Sequence, residues 1–270
     1  MAYGTDLTAA QFTQDWKAWR TGWEQRLLAP HGWLAARSLH WLDTTPRHDP
    51  GLPGLWSQDN GELVIDPQGT TMTFAGESFD TERRLALAGA PDDQRVTAGE
   101  LEIGVTFRGT YMIVVYDPDT PRRQNFRGVP TFEPDPDWVL TGHYEPYASP
   151  GSIKLRSVDP ELDEHVYDSP GVVHLQHGQR AYALRLLRSG GSLNAVFADG
   201  TSGVTTYGAG RSLIISEPDE DGQVRLDFNR AVNLPCAFSD NFPICPVPPP
   251  GNRLPFDIQA GERTPREKAG

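Results

Sequence analysis

The residues best equipped for chemistry gather in the last third of the chain. Asp227, Asn229 and Asn233 stand where a strand-forming run gives way to a long proline-rich segment. Side chains alternate faces along an extended strand, so Asp227 and Asn229 are expected to point the same way. Arg211, at the start of the preceding strand candidate, is expected to face them. A guanidinium opposite a carboxylate makes a two-pronged, directional contact. Asp199, Thr201 and Tyr207 add donors and acceptors from neighbouring segments.

Three functions fit this set. As a binding protein, the chain would floor a pocket with Asp199, Tyr207, Arg211, Asp227, Asn229 and Asn233, roof it with the Asn229–Arg253 loop, and hold a polar small molecule. As a hydrolase, it would use the same floor, with Asp227 or Glu262 as general base and Arg211 or Asn229 against developing negative charge. As an interaction protein without a pocket, it would use these groups only to fix the loop, since each buried polar group without a partner costs about 1–3 kcal/mol.

Cys236 and Cys245 close a short loop, and spacing leaves three readings open. They can form a disulfide if their Cα atoms lie within about 4.4–6.8 Å. Cys236 can be a nucleophile if a base or cation lowers its pKa, and folding would have to bring in His40 or His143 for that. Otherwise they are loop or core thiols.

Several familiar patterns fail. His174 and His177 have ligand spacing, but on a strand they point to opposite faces. Glu217-x-Asp219-x-Asp221-Gly222 starts like a calcium loop, yet Phe228 stands where the bidentate acid belongs. An acidic hairpin turn is the expectation there. Gly208-x-Gly210 lacks the third glycine of a dinucleotide fingerprint, and Gly200–Val204 has its glycines misplaced for a nucleophile elbow. The PxxP spacings at Pro243, Pro246 and Pro249 read as stiffeners of an ordered loop. No metal site or cofactor is expected.

These groups need a frame, and its strongest signal is N-terminal. Thr8-x-x-Gln11 forms a capping box, followed by Phe12, Trp16, Trp19, Trp23 and Leu27 on one helical face. Pro30 and Gly32 end that helix. Beyond it, β signals dominate. Leu101–Phe107 and Thr110–Tyr116 read as a hairpin turning at Arg108-Gly109. Val172–His177 and Gln179–Leu187 pair around Gly178, and Leu193–Phe197 follows a Gly-Gly turn. Ser212–Ile215 and Val224–Phe228 flank the acidic turn. Glu62–Ile65, Thr70–Phe74, Val139–Tyr144 and Ile153–Val158 are shorter candidates. Alternation of polar and apolar residues favours half-solvated antiparallel sheets.

The 270 residues carry 36 acids against 24 Lys and Arg, a net charge of −12. Such a surface repels phosphate backbones and anionic membranes, and Arg122, Arg123 and Arg127 are too few to reverse that. Nucleic acid and membrane are therefore not expected partners; oligomeric state is not readable. No apolar run approaches the ~18 residues of a spanning helix. The N-terminus has no basic and apolar leader pattern, and two cysteines suit a reducing compartment, so the expectation is cytoplasmic.

One set of motifs is more specific than any of these signals. It comprises Phe197-x-Asp199-x-Thr201, Thr206-Tyr207-Gly208-x-Gly210-Arg211, Asp227-Phe228-Asn229-Arg230-Ala231-Val232-Asn233, Pro235-Cys236-Ala237, Cys245-Pro246-x-Pro248-Pro249, Asn252-Arg253-Leu254 and Ala260-Gly261-Glu262. This series resembles the signature of the DUF1684 family, a domain of unknown function. Gly32-Trp33-Leu34 and His40-Trp41-Leu42 resemble its opening motif. Leu234 departs from the pattern, which usually has proline there, and Met112–Val115 lacks an expected basic residue. The resemblance implies a shared fold and a set of residues, not a reaction. The combined expectation is a mainly β chain, an antiparallel barrel or sandwich with one N-terminal amphipathic α-helix. It would be a single domain over 1–270, with its helix at about 8–28, its motifs at about 197–262 and a mobile tail at 264–270.

Overall fold

The computed structural model describes residues 8–91, 94–107, 109–161, 164–189, 191–242 and 244–266. The tail expected over 264–270 lies outside the described residues from 267 onward, as does Arg108 of the expected hairpin turn. Two compact units emerge, one of residues 1–24 with 128–270, the other of residues 25–127.

Helix α1 (Ala9–Leu27) starts where the capping box places it. The Gln11 amide donates to Thr8 Oγ1 at 3.3 Å, and the Thr8 amide donates to Gln11 Oε1 at 2.9 Å. Two of the helix's orphan N–H groups are thereby satisfied. Phe12, Trp23 and Leu27 are buried, while Trp16 and Trp19 are half-buried. Gly32 follows because a Cβ there would collide with the carbonyl oxygens of Arg26 and Leu27.

The unit of residues 25–127 contains two antiparallel sheets. The larger has the order β1 (Ala36–Trp41), β9 (Tyr111–Tyr116), β8 (Leu101–Phe107), β7 (Gln94–Ala98), β4 (Met72–Phe74), β5 (Glu77–Phe79). The smaller has the order β2 (Leu55–Asp59), β3 (Glu62–Asp66), β6 (Arg83–Leu85). Their apolar core includes Trp56, Ile65, Ile103, Tyr111 and Ile113. Alternation in β8 puts Ile103 and Val105 inside, as its period requires. The arginines at 122 and 123 tie down loops: Arg122 donates to the Ala36 carbonyl at 2.7 Å and Arg123 to that of Leu28 at 2.6 Å.

The other unit stacks two four-stranded antiparallel sheets. One has the order β12 (Arg180–Arg185), β11 (His165–His177), β10 (Val139–Leu155), β16 (Gln223–Asp227). The other has the order β13 (Leu187–Ser189), β14 (Ser192–Phe197), β15 (Arg211–Ile215), β17 (Val232–Asn233). Val173, Leu184 and Leu226 of the first meet Ala195, Phe197 and Leu213 of the second in one core. This is sandwich-like packing. The barrel alternative is not realised, because each sheet is an open series of strands.

Two local expectations need correction. Val139–Tyr144 and Ile153–Val158 are not separate short strands; the first and half of the second lie in the single 17-residue strand β10, whose register slips between Pro146 and Gly151. The slip falls at a proline, which cannot donate to the ladder. The acidic segment Glu217–Gly222 does not turn a hairpin either. Strand β15 pairs with β14 and β17 whereas β16 pairs with β10, so the segment crosses between sheets.

Candidate functional site

Gly210 sets up the site. Its φ of +94° suits glycine, and a Cβ there would strike the Phe197 carbonyl and Pro248. The chain turns tightly at Tyr207–Gly210 and enters β15 with Arg211 pointing inward. Arg211 is fully buried. One guanidinium nitrogen donates to Asp199 Oδ2 at 2.8 Å and to the Ile258 carbonyl at 3.1 Å. The other donates to the carbonyls of Ala260 and Glu262. Its plane also lies 5.3 Å from the Phe197 ring centroid. Asp199 Oδ1 accepts from the Thr201 amide at 2.8 Å, the Thr201 hydroxyl at 2.5 Å and the Ile258 amide at 3.3 Å. Burial pulls the Arg211 pKa down, opposed by the Asp199 carboxylate. One buried ion pair therefore fixes an irregular segment that has no ladder of its own.

A second clamp lies on the same segment. Glu262 is 1% exposed. Its Oε1 accepts from Arg20 Nη1 at 2.5 Å and Trp23 Nε1 at 2.8 Å, and its Oε2 accepts from the Asn233 amide at 2.6 Å. Burial pushes its pKa up, against the pull of Arg20, the Asn233 amide and Trp23. Asn233 also donates from Nδ2 to the Arg263 carbonyl at 2.9 Å. Asn252, fully buried, bridges β12 and β14 through the amide and carbonyl of Arg185 and the carbonyl of Val196.

Asp227 and Asn229 form a separate group. Strand β16 ends at Asp227, and Asn229 sits in a 3-10 turn over Phe228–Arg230, so the expected extended geometry does not continue that far. Asn229 Nδ2 donates to Asp227 Oδ1 at 3.0 Å and to the Asp135 carbonyl at 2.9 Å. Its Oδ1 accepts from the Asp135 amide at 2.9 Å. Asp227 Oδ2 faces Arg225 and Arg230, each at 3.3 Å. The structure thus brings Asp199, Arg211, Asn233 and Glu262 together, pairs Asp227 with Asn229, and gives Arg211 the partner Asp199 rather than Asp227.

Tyr207 has a different setting. It is half-buried and lines two shallow hollows that share it and Gly208. The first, about 430 Å³, is walled by Val158, Ala209, Val247, Pro248 and Arg253. The second, about 500 Å³, includes Val204, Thr205, Arg263 and Arg266. Arg253, Arg263 and Arg266 are exposed, and none forms an ion pair among the described residues. Among the described residues, no carboxylate lines either hollow. The amides of Gly208 and Ala209 make no backbone hydrogen bond among the described residues. Asp240 is close enough to act on the Tyr207 hydroxyl but is not part of either wall.

The Tyr207 hydroxyl donates to the Cys236 carbonyl at 3.3 Å. Burial pushes its pKa up, and the Cys236 thiol beside it adds to the shift. Cys236 and Cys245 are buried thiols, not a disulfide. The Cys236 amide donates to Cys245 Sγ at 3.3 Å. The thiol–thiol contact with Cys236 and burial raise the Cys245 pKa, opposed by the Cys236 amide. Among the described residues, no group of three or more His, Cys, Asp or Glu is arranged to hold a metal ion. His174 faces Glu145, and His177 stacks between Trp138 and Phe256.

Sequence reasoning missed Arg20, Trp23, Asp135, Asn252 and the three rim arginines as parts of these arrangements. Arg20 had a readable signal. It falls on the helical stripe between Trp16 and Trp23, and a cation inside an apolar stripe calls for a buried acid.

Residues 124–263 match the model of a family described as a protein of unknown function (DUF1684). The opening motif around Gly32 and His40 lies outside the matched residues. No curated protein matches the chain. Among solved structures, an uncharacterised protein of Haloarcula marismortui, determined by solution NMR, is similar at 32% identity. That match covers 53% of this chain and 79% of the other, with a TM-score of 0.43. The match over residues 124–263 spans more than half of the 270-residue sequence, and the chain belongs to the DUF1684 family.

Proposed function

We propose that the chain binds a small anionic molecule at the turn Tyr207–Gly210, partly covered by the proline-rich loop. The observation that carries this reading is the charge of the two adjoining hollows: among the described residues, their charged wall residues are Arg253, Arg263 and Arg266, all cations. In a chain of net charge −12, a surface with cations and no acid is selective for anions. The Gly208 and Ala209 amides add the kind of backbone donors that cradle carboxylates and phosphates. Volumes of about 430 and 500 Å³ fall in the range of small-molecule sites. Val247 and Pro248 of the proline-rich loop form one wall, and the Arg211 clamp holds the turn's far end. On this reading the buried motif residues support the site without touching the ligand.

A hydrolase is less well supported. Its candidate base Glu262 is sealed behind Arg20, Trp23 and the Asn233 amide, and Asp227 is engaged by Asn229 and two arginines. Titration with citrate and with inorganic phosphate, followed by thermal unfolding, tests the binding reading. A ligand at 100 times its Kd should stabilise the protein by about 2.7 kcal/mol. The shift should vanish in Arg253→Met or Arg263→Met. Absence of any shift, or its persistence in both variants, would overturn the assignment.

A further inference from the structure

We infer that Cys236 and Cys245 are a redox-active dithiol that peroxide converts into an intramolecular disulfide. The inference concerns the thiols alone and stands whether or not an anion occupies the neighbouring hollow.

Three observations bring the two sulfurs together. The Cys236 amide donates to Cys245 Sγ at 3.3 Å, the thiols are hydrogen-bonded to each other, and both are buried in the same place. Each is anchored. Cys236 lies in a 3-10 turn over Pro235–Ala237, closed by the Ala237 amide on the Leu234 carbonyl at 2.9 Å. Cys245 is held by the Val158 amide on its carbonyl at 2.8 Å, and the next residues pair with Ser157 and Arg156. Two thiols so fixed gain from proximity what a flexible pair would lose in loop closure.

The surroundings also decide which sulfur reacts first. In a coupled thiol pair the sulfur whose pKa is raised keeps its proton while the other gives its proton up. Burial and the neighbouring Cys236 thiol hold the proton on Cys245, while the Tyr207 hydroxyl donates to the Cys236 carbonyl at 3.3 Å. The Cys236 thiolate attacks one oxygen of hydrogen peroxide, the O–O bond breaks, and the departing hydroxide takes a proton to leave as water. Cys236 is then a sulfenic acid. The Cys245 sulfur attacks the Cys236 sulfur, forming the S–S bond. The S–OH bond breaks, and the Cys245 proton leaves with the hydroxide as a second water. Two thiols and one peroxide thus yield one disulfide and two waters.

Closing the bond brings the sulfurs to about 2.05 Å. It also moves the Cys236 turn, whose carbonyl accepts from the Tyr207 hydroxyl. Tyr207 lines both hollows, so the change is read out at the surface.

The test is peroxide treatment of the intact folded protein, followed by mass spectrometry and amide NMR. The expected product is about 2 Da lighter, the two lost hydrogens, with Cys236 linked to Cys245 in one peptide. A dithiol reductant should reverse it, and the Gly208 and Ala209 amide resonances should shift with oxidation and return on reduction. Cys245→Ser has no resolving thiol and should gain oxygen instead. Retention of both thiols, gain of oxygen by the wild type, or a disulfide only between molecules would each overturn the inference. The primary readout uses the unmodified chain, so a variant that fails to fold does not blunt it.

Discussion

The Arg211 clamp and the Tyr207 turn adjoin in sequence and contrast in chemistry. Arg211 spends its donors on Asp199 and three backbone carbonyls, in a place where no solute can reach it. At the turn, Arg253, Arg263 and Arg266 have no carboxylate partner among the described residues. The contrast separates two uses of charge. In the core, charge replaces the ladder that an irregular segment lacks; at the rim, it is left available. Removing a core charge should therefore unfold the chain, while removing a rim charge should leave the fold intact and abolish binding.

The largest effect is expected at Asp199. Asp199→Ala leaves the Arg211 guanidinium buried without its counter-charge. Such a change should lower unfolding free energy by about 3–5 kcal/mol, measurable by urea titration. Asn252→Ala should follow, with a loss of about 1–3 kcal/mol, because it strands the Arg185 amide and two carbonyls.

Glu262→Gln sharpens the comparison through pH. Burial holds the Glu262 carboxyl above its ordinary 4.5, so the folded protein keeps a proton that the unfolded chain has released. The stability this provides is complete below about pH 4.5 and is lost as pH rises through the elevated value. Glutamine does not titrate. The variant should lose about 1–3 kcal/mol at acid pH, and the gap to wild type should narrow with rising pH, by at most about 1.4 kcal/mol per unit. Unfolding curves between pH 4 and 7 would reveal it; a gap that widens would reverse the sign assigned to burial.

The smallest effect on stability belongs to the rim. Tyr207→Phe removes one hydroxyl at a half-buried position and should change stability by no more than about 1 kcal/mol. Its consequence should appear in peroxide reactivity, which should slow as the donor to Cys236 disappears.

The sequence made the frame readable where periodicity and turn chemistry agree. The capping box fixed the start of α1, and the alternation of Leu101–Phe107 marked β8. Short strands such as β5 and β6, at three residues each, are too brief to show a period. The crossing of β15 and β16 into different sheets was hidden for another reason, since turn residues do not reveal which strands pair. For the expected site, the structure pairs Arg211 with Asp199, and Asp227 with Asn229, instead of Arg211 with Asp227. Asp199 and Asp227 are equally plausible carboxylates along the sequence. Only the close approach of Ile258–Glu262 to β15 selects the first. Arg263 and Arg266 lie outside the motifs, and Arg253 lies within Asn252-Arg253-Leu254 without a sign of its surroundings, because the role of all three depends on what lies around them in the fold.

The most direct test sets the two regions against each other: urea unfolding of Arg211→Met and Arg253→Met side by side. Arg211→Met should lose about 3–5 kcal/mol, and Arg253→Met should stay within about 0.5 kcal/mol of wild type. Equal losses, or a larger loss at Arg253, would contradict the division between a structural core charge and an available surface charge.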